Sequence, residues 1–242
     1  MARSARQLGG AALVIVTAGL LGGCSSTQTE AARDRINNAR IITSQSVTHV
    51  TASASGGAAR VTGVTVIDRG RAFVVTVVNE SSKAVTNLPL SVGYHSHGKT
   101  VYLNARVGLP YFATHTAAIR GRATLRWVYV TGLRLPSGVR PFAYLGSRAV
   151  PAMAVQATAG VSARAGRRDG SQVLVQVSNL TGIPQTQLPV YVYVRDGGKI
   201  IGAGVSSVAL LGGGATDTVR VTVLGTASTG NVAAEAPATI YN

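Results

Sequence analysis

The chain has 242 residues, of which 46% are apolar, 13% charged and 5% aromatic, with 29 glycines and a formal net charge of +15. So few charges and so many apolar residues exclude a disordered polyelectrolyte, and the short Val and Thr bursts between glycines argue against a helical bundle and for a β-protein with many turns. A single Cys excludes an intramolecular disulfide, and one Trp with three Phe leaves Val, Leu, Ala and Ile to build the core.

The first segment is an address. Arg3 and Arg6, with no acid nearby, precede the uncharged run LGGAALVIVTAGLLGG. A basic start followed by a short apolar stretch is the pattern of an export signal, and it is short for a membrane span of about 20 residues. The run ends in Leu21-Gly22-Gly23-Cys24, followed by Ser25-Ser26. This resembles the lipobox of bacterial lipoproteins. The resemblance implies cleavage between Gly23 and Cys24 and a diacylglyceryl group on the Cys24 sulfur. It also implies a location on the outer face of a bacterial membrane, within the cell envelope. Several acyl chains anchor far better than one, because each buried CH₂ adds about 0.8 kcal/mol.

Without Arg3 and Arg6, 21 Lys+Arg stand against 8 Asp+Glu, a net +13 for the exported part. The plain reading of the preference for Arg is a GC-rich coding bias. The charge also favours polyanions outside the cell, such as anionic lipid head groups or wall polymers. Export sets nucleic acid aside as a partner.

Residues 24–59 are small and polar, and read as the lipidated Cys and a flexible tether, with a short helix expected around Glu30 to Ile41. Beyond them the chain repeats itself. At an offset of 100, Val75, Val77 and Asn79 match Val175, Val177 and Asn179. Leu88-Pro89 matches Leu188-Pro189, and Gly98-Lys99 matches Gly198-Lys199. Within each repeat the apolar residues alternate, as in Leu88, Leu90, Val92, Tyr94 and in Leu188, Val190, Val192, Val194. That period of two predicts strands with one buried face. HSHGK and RDGGK sit between strands and supply the positive-φ positions of hairpin turns. A later pair, Leu125-x-Trp127-x-Tyr129 and Val219-x-Val221-x-Val223, aligns at an offset of 94.

The expected architecture is therefore all-β: two tandem Ig-like β-sandwiches after a signal peptide (1–23) and a tether (24–59), spanning 60–148 and 152–241. The stretch Val175 to Ile201, and more loosely Val75 to Val101, resembles bacterial extracytoplasmic Ig-like modules. These are the cell-adhesion-related domain of bacteria and the FxLYD-type lipoprotein domains. The resemblance implies a sandwich fold and a non-enzymatic role, and carries over no binding residue.

Chemistry-bearing clusters are sparse. The eight acids are scattered and lie mostly in turns or the tether, with no close carboxylate pair suggested. No G-x-S-x-G elbow and no phosphate loop is present. The H-x-H of His95 and His97, with His115, is the one candidate metal set. Its plainer reading is two exposed turn histidines, with Tyr94 inward and His95 toward solvent. Six additional residues in the first repeat are expected within RVGLPYFATHTAAIRG, which carries Tyr111 and Phe112, with Arg120 and Arg122 beside them. Aromatic rings beside Arg on a loop read as a partner-binding surface. Tyr191 and Tyr193, on the face opposite Val190 and Val192, are a second such candidate, the alternatives being that this face packs on the rim of the other sheet or on the first domain. Asn79-Glu80-Ser81 and Asn179-Leu180-Thr181 match the N-glycosylation pattern, and read more simply as polar residues at strand ends.

The sequence thus predicts a non-catalytic, lipid-anchored envelope protein without a cofactor, binding or scaffolding an anionic wall polymer or a membrane protein complex. The alternative is an extracytoplasmic metal-handling protein using the H-x-H turn.

Overall fold

The computed structural model describes residues 52–53, 58–86, 88–104, 114–146, 150–151 and 160–239, all within one compact unit, Ser46–Asn242. The predicted signal peptide, the lipidation site Gly23-Cys24 and the expected helix at 30–41 lie outside the described residues. Among the described residues, no helix is long and apolar enough to cross a membrane. The elements among the described residues are strands, with a 3₁₀ turn at Asp68–Gly70.

The first half contains β1 (Ala52–Ser53), β2 (Ala59–Ile67), β3 (Ala72–Asn79), β4 (Val85–Thr86), β5 (Pro89–Ser96), β6 (Lys99–Tyr102), β7 (Thr114–His115), β8 (Thr124–Val130), β9 (Arg140–Gly146) and β10 (Val150–Pro151). The second contains β11 (Val161–Asp169), β12 (Gln172–Asn179), β13 (Gln185–Asp196), β14 (Lys199–Leu211), β15 (Thr216–Thr222), β16 (Leu224–Gly225) and β17 (Asn231–Glu235). All pairings are antiparallel. The first half builds sheets β2-β3-β8 and β1-β9-β5-β6, the latter with β7 also on β5. The second builds β11-β12-β15 and β16-β14-β13-β17, and β10 pairs with β4.

Each half buries the face that alternation predicts. Leu188, Val190, Val192 and Val194 of β13 are fully buried against Val173, Val175, Val177 and Val221. In the first half, Leu88, Leu90, Val92 and Leu145 join Phe73, Val75, Val77, Leu125 and Trp127. The hairpin turns form as expected. His97 and Gly98 have φ of 47° and 74°, and Gly197 and Gly198 have φ of 51° and 84°. Two successive positive-φ residues match the right-handed twist of the flanking strands.

The two halves are not independent sandwiches. On β3 both faces are buried: Val74 is as inaccessible as Phe73 and Val75. The second face carries Val74, Thr76, Arg126 and Val128, and it meets Tyr191, Ala203 and Val205 of the second half. Four sheets therefore stack in the order β1-β9-β5-β6, β2-β3-β8, β16-β14-β13-β17, β11-β12-β15.

Two sequence expectations are corrected by register. Val75 pairs with Trp127 where Val175 pairs with Val219, so the later offset is 92, not 94. The first half then has 100 − 92, or eight, extra residues rather than six. They fall between Asn104 and Thr114, where β6 and β7 replace the unbroken β14 of the second half. The side chain of buried Asn104 patches the gap. It accepts from Val92 N–H at 2.9 Å and donates to Leu90 C=O at 2.8 Å, two groups that a strand backbone would otherwise satisfy.

The two N-x-S/T stretches share one device. Asn79 and Asn179 are both fully buried. Asn79 Nδ2 donates to the carbonyls of Lys83, Ile119 and Arg120 at 2.8–3.1 Å, and its Oδ1 accepts from the N–H and hydroxyl of Ser81. Asn179 does the same with Ile183, Leu211, Gly212 and Thr181. Each Asn thereby satisfies its own buried amide and ties a strand end to two loops.

Candidate functional site

The most chemically distinctive surface is the outer face of the β1-β9-β5-β6 sheet. Cross-strand register places Ser91, Gly93 and His95 of β5 opposite Tyr144, Phe142 and Arg140 of β9, with Tyr102 and Thr100 of β6 on the other side. The rings assemble across three strands. Phe142 stacks on His95 with centroids 4.6 Å apart and on Tyr144 at 4.5 Å, and Tyr102 meets it edge-on at 5.4 Å. Phe142 is 6% exposed and forms the base of the cluster, while His95, Tyr102 and Tyr144 remain half-exposed. Gly93 makes this possible. A Cβ there would stand 2.0 Å from Val101 O and 2.6 Å from Phe142 Cζ, so the ring lies across the strand only because the position is glycine.

At one end this shelf opens into a shallow cleft of about 450 Å³ lined by His95, Ser96, His97, Gly98, Ser137, Gly138 and Arg140. His97 and Arg140 are exposed, and no described acid lines the cleft. His95 Nδ1 is 3.1 Å from Thr100 Oγ1 and Nε2 is 3.2 Å from Tyr144 Oη, so both ring nitrogens are engaged and the imidazole is fixed in orientation. The rings are stacked or edge-on to one another rather than coplanar. An aromatic cluster of this kind beside a cleft lined by Arg140 can pack against an apolar ring and hold an anionic substituent.

The predicted metal set is not assembled. His115 pairs with Pro89, six residues along β5 from His95, roughly 20 Å away at strand rise. Burial lowers the His115 pKa below the ordinary imidazole value. Among the described residues no three His, Cys, Asp or Glu side chains cluster as a metal would need. The expectation that His95 points away from the core holds, but the ring is stacked rather than free.

Tyr191 and Tyr193 are not an exposed partner-binding surface; their face packs on the first half of the molecule. They are 3% and 4% exposed, sealed between the halves of the molecule. Tyr193 Oη donates to Glu235 Oε1 at 2.7 Å. Arg126 Nη1 lies 3.3 Å from both Tyr193 Oη and Glu235 Oε1, and its backbone N–H donates to Glu235 Oε2 at 3.0 Å. The Arg126 and Arg195 guanidiniums each stand 5.2 Å from the Tyr193 ring centroid. Burial, then the Glu235 hydrogen bond and charge, push the Tyr193 phenol up to about 12, against the two arginines. Burial and then Glu235 also raise the Tyr191 phenol. Beside this junction runs a groove of about 490 Å³ between residues 118–125, β11 and the 234–238 segment.

Of the other predicted residues, Arg120 and Arg122 are exposed at the Asn79 end of the first half, and Arg120 borders that groove. Tyr111 and Phe112 lie outside the described residues. Tyr102, Arg140, Phe142 and Tyr144 were not picked out from sequence. Their signal was present in the alternation of Arg140, Phe142 and Tyr144 against Ala143 and Leu145. No protein-family model and no curated protein matches this chain.

Proposed function

We propose that the protein is a non-catalytic binding module of the bacterial cell envelope. It is tethered by lipid on Cys24 and holds a wall polymer through the aromatic face of its first half. The observation that carries this reading is the ladder of His95, Phe142, Tyr144 and Tyr102, which leaves three half-exposed rings on an outer sheet face beside Arg140. The export signal and lipobox-like Leu21 to Cys24 supply the location, and the net +13 of the exported part suits anionic surroundings. The Ig-like resemblance supports a scaffold role.

The test is pelleting of the purified full chain, in detergent, with isolated wall fractions across a salt series. Retention that weakens but persists with salt, and that drops with Tyr102→Ala/Tyr144→Ala, is the expected result. Absence of retention at every salt concentration overturns the reading. Retention unchanged by the double substitution moves the binding surface elsewhere on the molecule.

A further inference from the structure

Resting on that reading, we infer that the shelf and its cleft together form a site for an acidic saccharide, with a pyranose packed on Tyr144 and flanked by Tyr102, and its anionic group held by Arg140 and His97. The C–H-rich face of a pyranose is apolar and flat, and gains by covering an aromatic ring. The half-exposed rings here are immobilised before any ligand arrives. Tyr144 is held by Phe142 stacking and by His95 Nε2, and Tyr102 by its edge contact with Phe142. Little side-chain entropy then remains to be lost on binding.

Arg140 stands directly opposite His95 in register, two residues along β9 from Phe142 and on the same face. A guanidinium presents a planar fork that matches the two oxygens of a carboxylate or phosphate. His97 is fixed by its left-handed turn at the other side of the cleft, and the lining holds no carboxylate to compete. The charge is complementary to an acidic sugar and indifferent to a neutral one.

Another copy of this chain is a poorer occupant. Inside the molecule the corresponding face of the second half docks on Val74 and Val128. The outermost sheet, β11-β12-β15, offers instead Ser162, Arg164, Gln176, Thr218 and Arg220 on its free face, where most are exposed. Apart from half-exposed Leu174 that face is polar and basic, and it lacks the negative charge that the cleft would require.

The test is calorimetric titration of the full chain in detergent with three probes: an oligogalacturonate, its carboxyl-reduced neutral counterpart, and a poly(glycosyl phosphate). Binding of at least one acidic probe, about tenfold or more tighter than the neutral one, is expected. Arg140→Ala should erase that preference while leaving neutral binding unchanged, and Tyr144→Ala should weaken acidic and neutral probes alike. The two acidic probes separate carboxylate from phosphate. Equal affinity for acidic and neutral probes overturns the role of Arg140. Silence with every saccharide, alongside retention on wall fractions, overturns the inference and leaves the envelope-binding reading standing. Silence with both sinks both. Concentration-dependent self-association abolished by Tyr144→Ala would assign the face to a second copy instead.

Discussion

The same sheet face occurs twice in this molecule and has two fates. In the first half it carries Gly93, His95, Arg140, Phe142 and Tyr144 and looks outward. In the second half the matching positions are Tyr193, Arg195, Asn231, Ala233 and Glu235, and the face is closed against the β2-β3-β8 sheet. Where the face is covered, the bulk sits on β13 as Tyr191 and Tyr193, and the small Ala233 of β17 stands opposite Tyr193. Where it is open, the bulk has moved to β9 and a glycine on β5 receives it. The two halves share one strand arrangement at this face, and exchange of large for small across one strand pair separates an internal joint from an external surface.

Substitutions at equivalent places should separate the two fates. The largest effect belongs to Tyr191→Ala, which empties a fully enclosed position in the joint and should cost about 4 kcal/mol. Tyr144→Ala on the open face should cost about 1 kcal/mol. Chemical denaturation of both variants checks the contrast, and equal losses would show that the shelf too is structurally committed. Next come Asn79→Ala and Asn179→Ala. Each deletes five hydrogen bonds that hold a strand end against two loops, for an expected loss of about 3 kcal/mol in either half. Similar losses would mark the two devices as equivalent, and a large inequality would show that one half dominates stability.

Gly93→Ala should cost about 2 kcal/mol, because the added methyl meets the backbone oxygen of Val101 rather than a side chain that can move. Its distinguishing readout is loss of saccharide binding together with altered near-ultraviolet dichroism of the ring cluster. Within the joint, Tyr193→Phe should cost less than Tyr191→Ala, about 1.5 kcal/mol for a hydrogen bond to a carboxylate. It carries a pH signature. The phenol titrates near 10 in the unfolded chain and near 12 when folded, so the folded state holds the proton more tightly. The stabilisation is complete below pH 10 and is lost as pH rises toward 12. A thermal melting temperature that falls across that window in the parent and less steeply in Tyr193→Phe is the expected outcome.

Much of this was legible in the sequence. Alternating Val and Leu named the inward residues of β3, β5, β12 and β13, and the paired His-Gly and Gly-Gly turns fixed both hairpins. What alternation cannot report is what lies beyond the second face. Tyr191 and Tyr193 were assigned to the correct side of β13, but whether that side meets water or another sheet depends on strands more than 60 residues away. The offset error has a similar cause. A Val-x-Val pattern looks the same after a slip of two, since such a slip preserves which residues face inward. The aromatic shelf was missed because it draws on β5, β6 and β9, and only register brings His95 beside Phe142.

The buried asparagines have a practical consequence for making the protein. Asn79-Glu80-Ser81 and Asn179-Leu180-Thr181 are acceptor sequons for a eukaryotic oligosaccharyltransferase, which acts on the chain before it folds. A glycan on either side-chain nitrogen would take the atom that must enter the strand-end network and would add bulk at a fully enclosed position. Secretion from yeast or mammalian cells should therefore yield misfolded, retained material. A bacterial host lacking that enzyme avoids the conflict between modification and closure.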